Sequence, residues 1–134
     1  MRIIVLQGMP NTGKTTTLNL VWNMLLNNSG VSSNRQTLGG DPNDFSDIVN
    51  RYKKLIAFYT MGDYSTYLAN AVTYYNNLGC DVLVCALSVN NAKIRANNTI
   101  NQFSNTRINK TLAINQVTEH HANSTDALTI FNLL

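Results

Sequence analysis

Near its first residue, the chain carries a strand pattern, a glycine-containing loop and a helix pattern that follow one another without a gap. The run Ile3-Ile4-Val5-Leu6 is continuously apolar and rich in β-branched residues, which predicts a short strand buried on both faces. Apolar residues recur at helical spacing from Leu18 to Leu25, and Gly30 is placed to end that helix. A strand buried on both faces needs helices above and below it, so this unit predicts an α/β fold.

Two further apolar runs predict strands later in the chain. They are Leu55–Thr60 and Asp81–Leu87, and a helical pattern from Leu68 to Tyr75 lies between them. By contrast, residues 31–47 mix Ser, Asn, Gly and Pro, so this segment predicts at most a short edge strand at Gln36-Thr37-Leu38.

The last third of the chain has weaker patterns. Residues 93–105 favour a polar helix, and Leu112-Ala113-Ile114 is a weak strand candidate. An apolar stripe ending at Leu134 predicts a terminal helix, with Asn123 as its N-cap and Asp126 in its first turn.

Strands that alternate with helices predict a mostly parallel central sheet covered by helices on both faces. We expect one domain over residues 1–134, because a chain of this length holds a single core. Binding sites in such sheets lie beyond the carboxyl ends of the strands. The loops that start at Gly8, Gly62 and Ser88 are therefore expected on one rim.

Composition narrows the classes of partner. Hydrophobic residues make up 44% and charged residues 13% of the chain, which is typical of a folded globular protein. The net charge of +3 comes without any basic run longer than Lys53-Lys54, so nucleic-acid binding is not expected. No segment resembles a membrane span or a signal peptide. We expect Cys80 and Cys85 to be reduced and the protein to be cytoplasmic.

The loop between the first strand and the first helix carries a specific motif. Its sequence, Gly8-Met9-Pro10-Asn11-Thr12-Gly13-Lys14-Thr15, matches Gly, four residues, Gly-Lys-Ser/Thr. Glycines let the backbone N–H groups approach a phosphate closely, and the following helix points the positive end of its dipole at the same place. With this motif the chain resembles the P-loop NTPase superfamily, whose three-layer fold it would then share.

The resemblance implies a role for each residue of the loop. Lys14 would bridge the β- and γ-phosphates and act in catalysis, Thr15 would coordinate Mg²⁺, and Thr16 would contact the α-phosphate. The nucleoside triphosphate, ATP or another NTP, would be held by residues of the loop and the start of the helix: Gly8, Met9, Pro10, Asn11, Thr12, Gly13, Lys14, Thr15 and Thr16.

A P-loop also needs a carboxylate near its magnesium ion, and the superfamily places one at the end of a neighbouring strand. Asp63 follows the strand at 55–60 after Met61-Gly62, so we expect it to serve as a metal ligand or a catalytic group. Asp63 or Ser65 could equally cap the following helix. Asp81 precedes its strand and belongs at the opposite edge, and Asp41 is interpreted as a turn residue.

Other sequence features argue against GTP, a basic phosphate clamp and a zinc site. Guanine-specific members carry Asn-Lys-x-Asp, whereas this chain has Asn109-Lys110-Thr111-Leu112, so we expect ATP in preference to GTP. The cations Lys93, Arg95 and Arg107, with Lys110, are more typical of a solvated face than of a phosphate clamp. Glu119-His120-His121 lacks the spacing of a zinc site.

Two functions are consistent with these patterns. The first is a Mg²⁺-dependent NTPase or a kinase-like phosphotransferase acting on an unidentified acceptor. The second is a non-catalytic nucleotide switch, in which occupancy orders residues 39–47 and 88–98 so that a protein partner docks.

Overall fold

The computed structural model describes all residues from Met1 to Leu134. Its helices are α1 (Lys14–Leu26), α2 (Ser65–Asn77), α3 (Ile94–Ile100) and α4 (Gln116–Phe131). Its strands are β1 (Arg2–Gly8), β2 (Val31–Ser32), β3 (Gln36–Leu38), β4 (Asp41–Arg51), β5 (Lys54–Tyr59), β6 (Val82–Ser88) and β7 (Ser104–Asn109). No helix is long and apolar enough to cross a membrane.

The strands form one sheet in the order β2-β4-β5-β6-β1-β7, and β3 also pairs with β4. Strands β5, β6, β1 and β7 run parallel to one another. Strand β4 is antiparallel to β2, β3 and β5. The sheet is therefore mixed, and the predicted mostly parallel sheet of a three-layer P-loop NTPase-like fold is wrong.

The antiparallel half replaces the segment that was expected to be largely loop. Strand β4 buries only alternate residues, Phe45, Asp47 and Val49, which is the pattern of a strand with one face on the core. It joins β5 through Tyr52 and Lys53, both of which have positive φ. Such a tight hairpin turn usually contains Asn or Gly, so its sequence gave no hairpin signal.

Alternate side chains of the central strands supply two cores, one on each face of the sheet. Ile3 and Val5 of β1 pack with α2 and α3, whereas Ile4 and Leu6 pack with α1 and α4. The prediction that β1 is a central strand buried on both faces is confirmed, because β6 and β7 flank it and all four of these residues are fully buried.

The last third differs from its predicted elements. The polar helix is limited to α3 and is followed by β7, while residues 112–114 are not a strand. Helix α4 begins at Gln116 behind Asn115, whose side chain accepts from the Thr118 N–H in a capping box. The predicted cap at Asn123 is wrong, because Asn123 lies buried in the middle of α4. The histidines 120 and 121 also lie in this helix.

Candidate functional site

The motif residues form a loop that joins the carboxyl end of β1 to the first residue of α1. Gly13 has φ +93, and a Cβ at this position would overlap the side chain of Asn123 in α4. Glycine is therefore required here for its backbone conformation and for its lack of a side chain. Asn11 also has positive φ. Successive turns of this kind aim backbone N–H groups at a common point, which is how anion-binding loops are built.

Lys14 is 93% buried beneath this loop, since only 7% of its surface is exposed. Its Nζ donates to the carbonyl oxygens of Gly8 and Met9 at 3.0 and 2.7 Å. Burial lowers the pKa of the Lys14 ammonium, Asp63 partly offsets this effect, and the charges of Lys110 and Lys93 lower the pKa further. The cation is thus held where an incoming anion would relieve an unfavourable electrostatic environment.

Thr15 contacts a carboxylate that sequence reasoning missed. Its Oγ1 donates to Asp44 Oδ1 at 2.9 Å, and Thr60 Oγ1 donates to the same oxygen at 2.9 Å. Thr60 is fixed in turn, because its hydroxyl accepts from the Phe45 N–H at 2.9 Å. Asp44 lies within β4, so the only sequence signal for its role would have been recognition of the β4–β5 hairpin.

Asp63 lies on the same rim but is held differently. Its Oδ1 accepts a short hydrogen bond from the Ser88 hydroxyl at the end of β6. The alternative role of Asp63 or Ser65 as a helix cap is wrong, because the N-cap of α2 is Tyr64 and it makes no side-chain capping bond. Gly62 allows the close approach of this loop to β6, since a Cβ there would overlap the Ala86 carbonyl oxygen.

These groups surround a cavity of about 340 Å³, which we call the loop cavity. None of its lining residues is hydrophobic. Seven of the lining residues are predicted site residues: Pro10, Asn11, Gly13, Lys14, Thr15, Thr16 and Asp63. The other seven are Asp41, Asn43, Asp44, Thr60, Gly62, Ser88 and Glu119. The rim expected from the strand ends is confirmed, because Ser88 N–H donates to the Gly62 carbonyl and Val89 N–H to the Gly8 carbonyl.

The remaining predicted residues support the loop or face another side. Gly8 supplies a carbonyl to Lys14. Met9 accepts from both Lys14 and the Thr12 hydroxyl through its carbonyl, and its side chain is exposed. Thr12 and Asn11 line a neighbouring cavity of about 330 Å³ beside Leu112 and Ile114, both of which are exposed.

Helix α4 braces the loop from behind. The buried Lys110 Nζ forms an ion pair with Asp126 at 3.1 Å, and Asp126 also accepts from the N–H and hydroxyl of Thr111 at 2.7 Å each. Lys110 is therefore not part of a solvated face, and Lys93 is also buried. Asp41, interpreted as a turn residue, accepts from the Asn43 N–H at 2.9 Å and also lines the loop cavity. Asp81 lies at the opposite edge, where it accepts from Leu55 N–H.

No group of three or more His, Cys, Asp and Glu side chains is placed to hold a metal ion. Asp44 and Asp63 line the loop cavity, and Mg²⁺ is usually held by one or two carboxylates together with phosphate oxygens and water. Comparison with protein-family models, with curated proteins and with solved structures finds no match to this chain.

Proposed function

We propose that this protein binds Mg-ATP in the loop cavity and transfers the γ-phosphoryl group to water or to a small-molecule acceptor. The observation that carries the proposal is the convergence of Lys14, the Thr15 hydroxyl and two carboxylates, Asp44 and Asp63, on one cavity without hydrophobic lining. The motif supplies the first two groups, strand β4 supplies Asp44, and the loop after β5 supplies Asp63.

The chain's own groups fit the charge of a triphosphate. The loop backbone and the start of α1 offer N–H donors and a positive dipole to the phosphates. Lys14 exchanges its two carbonyl contacts for phosphate oxygens at little cost, because the Gly8 and Met9 carbonyls keep donors from Val89 N–H and the Thr12 hydroxyl. Positioned cations of this kind stabilise the charge that spreads over the transferring phosphoryl group.

Thr15, Asp44 and Asp63 are the residues that would hold Mg²⁺ and its water shell. The ion would supply charge neutralisation at the phosphates. The hydroxyl of Thr15 is already oriented by Asp44, so the ligand set needs little reorganisation.

The neighbouring cavity beside Leu112 and Ile114 is the best place for the adenine ring. It adjoins the loop at Asn11 and Thr12, and its exposed apolar side chains suit a planar base.

We also propose that the protein is cytoplasmic. This proposal is supported by the two cysteines, which are buried and not bonded to each other.

Formation of ADP from Mg-ATP by the purified protein tests this proposal. The wild type should turn over, whereas Lys14→Met should lose at least about a hundredfold in rate, as expected when a charge-stabilising group is removed. Lys53→Met, which changes an exposed lysine in the β4–β5 turn, is the matched control and should retain full activity. An equal rate in the wild type and Lys14→Met would contradict phosphoryl transfer at this site.

The non-catalytic switch is the second candidate, but the segments that nucleotide binding would order differ from those expected from the sequence. Residues 39–47 form the β3–β4 turn and the first part of β4, so ordering on nucleotide binding would concern residues 89–93, between β6 and α3, instead. A protein that binds Mg-ATP and forms no ADP, with or without added acceptors, would support this second function.

A further inference from the structure

A second cavity, of about 530 Å³, adjoins the loop cavity and shares Asp63 with it. Its walls are the first residues of α2, Tyr64 to Tyr67, and the segment Asn91–Ile94 that leads into α3. We call it the tyrosine cavity. Its volume falls in the range of small-molecule sites, and the shared Asp63 places any occupant next to the proposed γ-phosphate.

Lys93 lines this cavity as a buried cation without a carboxylate partner. Only 8% of its surface is exposed, and the single ion pair of the protein joins Lys110 to Asp126 instead. The Nζ of Lys93 donates to one amide oxygen, that of Asn90, at 3.1 Å. A buried ammonium that lacks an anion destabilises a fold, so an anion bound beside the Nζ of Lys93 would stabilise this region.

The backbone of Lys93 also has φ +47, which is uncommon for a residue with a side chain. Conformations of this kind cluster at ligand sites, where the surrounding structure maintains them. Ser65 helps to maintain this one, because its hydroxyl accepts from the Ala96 N–H at 2.9 Å and so ties the start of α2 to α3.

Two tyrosines supply a different kind of surface in the same cavity. The rings of Tyr64 and Tyr67 lie 5.5 Å apart, and the residues are 58% and 54% exposed. Rings of this type stack on planar groups such as nucleobases. The cavity thus combines a cation for an anion with an aromatic surface for a planar ring.

We propose that the tyrosine cavity binds the phosphoryl acceptor, and that this acceptor is a nucleoside monophosphate whose phosphate lies at Lys93 and whose base lies against Tyr64 and Tyr67. This inference rests on the proposed function, since it names the acceptor for the same reaction. An oxygen of the monophosphate forms the new bond to the γ-phosphorus, and the bond from that phosphorus to the bridging oxygen breaks. Its electron pair leaves with ADP.

No proton has to be removed in this step, because a phosphate attacks as an anion. The reaction must instead bring two anions together. Lys14 in the loop cavity and Lys93 in the tyrosine cavity would reduce the repulsion between them. Asp63 lines both cavities, so Lys14 in one cavity and Lys93 in the other border adjoining spaces.

Calorimetric titration of AMP, CMP, GMP and UMP tests the inference, using protein first saturated with Mg²⁺ and the non-hydrolysable β,γ-imido analogue of ATP. At least one monophosphate should bind to the wild type at submillimolar concentration. Lys93→Met should weaken it at least about tenfold, as the loss of a charged hydrogen bond does, and Tyr67→Leu at least about fivefold, as the loss of a stacking ring does.

Two control variants match these changes. Lys53→Met removes a lysine that also has positive φ, and Tyr74→Leu removes a tyrosine of α2 that is 57% exposed but lies outside the tyrosine cavity. Both should bind the monophosphate as the wild type does. If Lys93→Met does not fold, as judged by its thermal melt, Tyr67→Leu and Tyr64→Leu carry the test alone, because both rings are exposed.

Binding of the imido analogue and binding of the monophosphate are measured separately, so nucleotide binding and the acceptor site can be tested apart. If the imido analogue binds but no monophosphate binds at millimolar concentration, the acceptor site is overturned and the proposed function stands. The same conclusion follows if Lys93→Met and Tyr67→Leu bind the monophosphate as tightly as the wild type does. If the analogue itself does not bind, the proposed function fails, and the acceptor inference fails with it.

Discussion

The two halves of the sheet deliver their carboxylates to the loop cavity in different ways. In the parallel half, Asp63 is exposed on the loop after β5 and accepts from one hydroxyl, that of Ser88. In the antiparallel half, Asp44 lies within β4, is partly buried and accepts from the hydroxyls of Thr15 and Thr60. Asp44 is therefore the better fixed of the two, and fixed groups lose less entropy when they bind.

The parallel half positions the site through close backbone approach, whereas the antiparallel half does so through side-chain hydrogen bonds. Gly62 lies against the backbone of β6 with no room for a Cβ, but Gly40, in the β3–β4 turn, has nothing within 4 Å of the same position. Substitutions that test backbone approach should therefore affect the first region far more than the second.

The largest expected effect is on stability. Gly62→Ala should lower the free energy of unfolding by about 3 kcal/mol, because its methyl group would displace the backbone of β6. Gly40→Ala is the matched control and should change it by less than about 0.5 kcal/mol. Denaturant unfolding of both variants makes the measurement. Equal effects would show that the two regions do not differ in backbone packing.

The next effect separates the two carboxylates. Asp44→Asn keeps an oxygen that accepts from Thr15 and Thr60 but removes the charge, so it should melt normally and lose roughly 10- to 100-fold in Mg²⁺-dependent turnover. Asp63→Asn should lose less, about tenfold at most, because its carboxylate is less tightly fixed. Turnover measured against Mg²⁺ concentration gives the ranking, and a larger loss in Asp63→Asn would reverse it.

The difference between the halves also explains how far the sequence predicts this molecule. Continuous apolar runs predict strands β1, β5 and β6. The rule that parallel strands end at one edge predicts the rim at Gly8, Gly62 and Ser88. Strand β4 has no such run, and its turn at Tyr52-Lys53 lacks Asn and Gly. Because β4 shows neither an apolar run nor a turn signal, its pairing with β5 was not predicted, and Asp44 could not be placed.

The support of the loop by α4 was equally inaccessible to sequence reasoning. Asn123 and Asp126 have the residue types of a helix start, but their partners, Thr17 near Gly13 and Lys110 with Thr111, become neighbours only in the fold. Of the nine predicted nucleotide-binding residues, six line the loop cavity, whereas Gly8, Met9 and Thr12 lie outside its lining.

A smaller effect is expected from pH. The pKa of Lys14 is lowered below 10.5 in the folded state, mainly by burial, so the unfolded chain binds this proton more strongly and the charge destabilises the fold at neutral pH. As the pH rises through the folded-state pKa of Lys14 towards 10.5, this destabilisation is lost and the free energy of unfolding increases. Lys14→Met should therefore be more stable than the wild type at pH 7.

Unfolding free energies measured from pH 7 upward test the sign of this effect. The advantage of Lys14→Met should shrink as the pH approaches 10.5, the ordinary value for lysine. Groups common to both proteins cancel in the difference. A constant difference would show that Lys14 does not titrate differently in the folded and unfolded states.

The smallest effect concerns the base, which we place beside β7 and α4 in the parallel half. Leu112 stands where guanine readers carry Asp, so Mg-ATP should raise the melting temperature by a few degrees more than Mg-GTP at equal concentration, which corresponds to about 1 kcal/mol of preference. A thermal melt with each nucleotide measures this. Equal or reversed shifts would remove the argument for adenine.

The most direct test of the central claim, that the loop Gly8–Thr15 binds a nucleoside triphosphate, is the melting temperature of the wild type and Lys14→Met with and without saturating Mg-ATP. A ligand at a hundred times its dissociation constant adds about 2.7 kcal/mol to the folded state. For a chain of this size, we expect a rise of about 5 to 10 °C in the wild type and almost none in Lys14→Met. No rise in the wild type, or the same rise in both proteins, would contradict it.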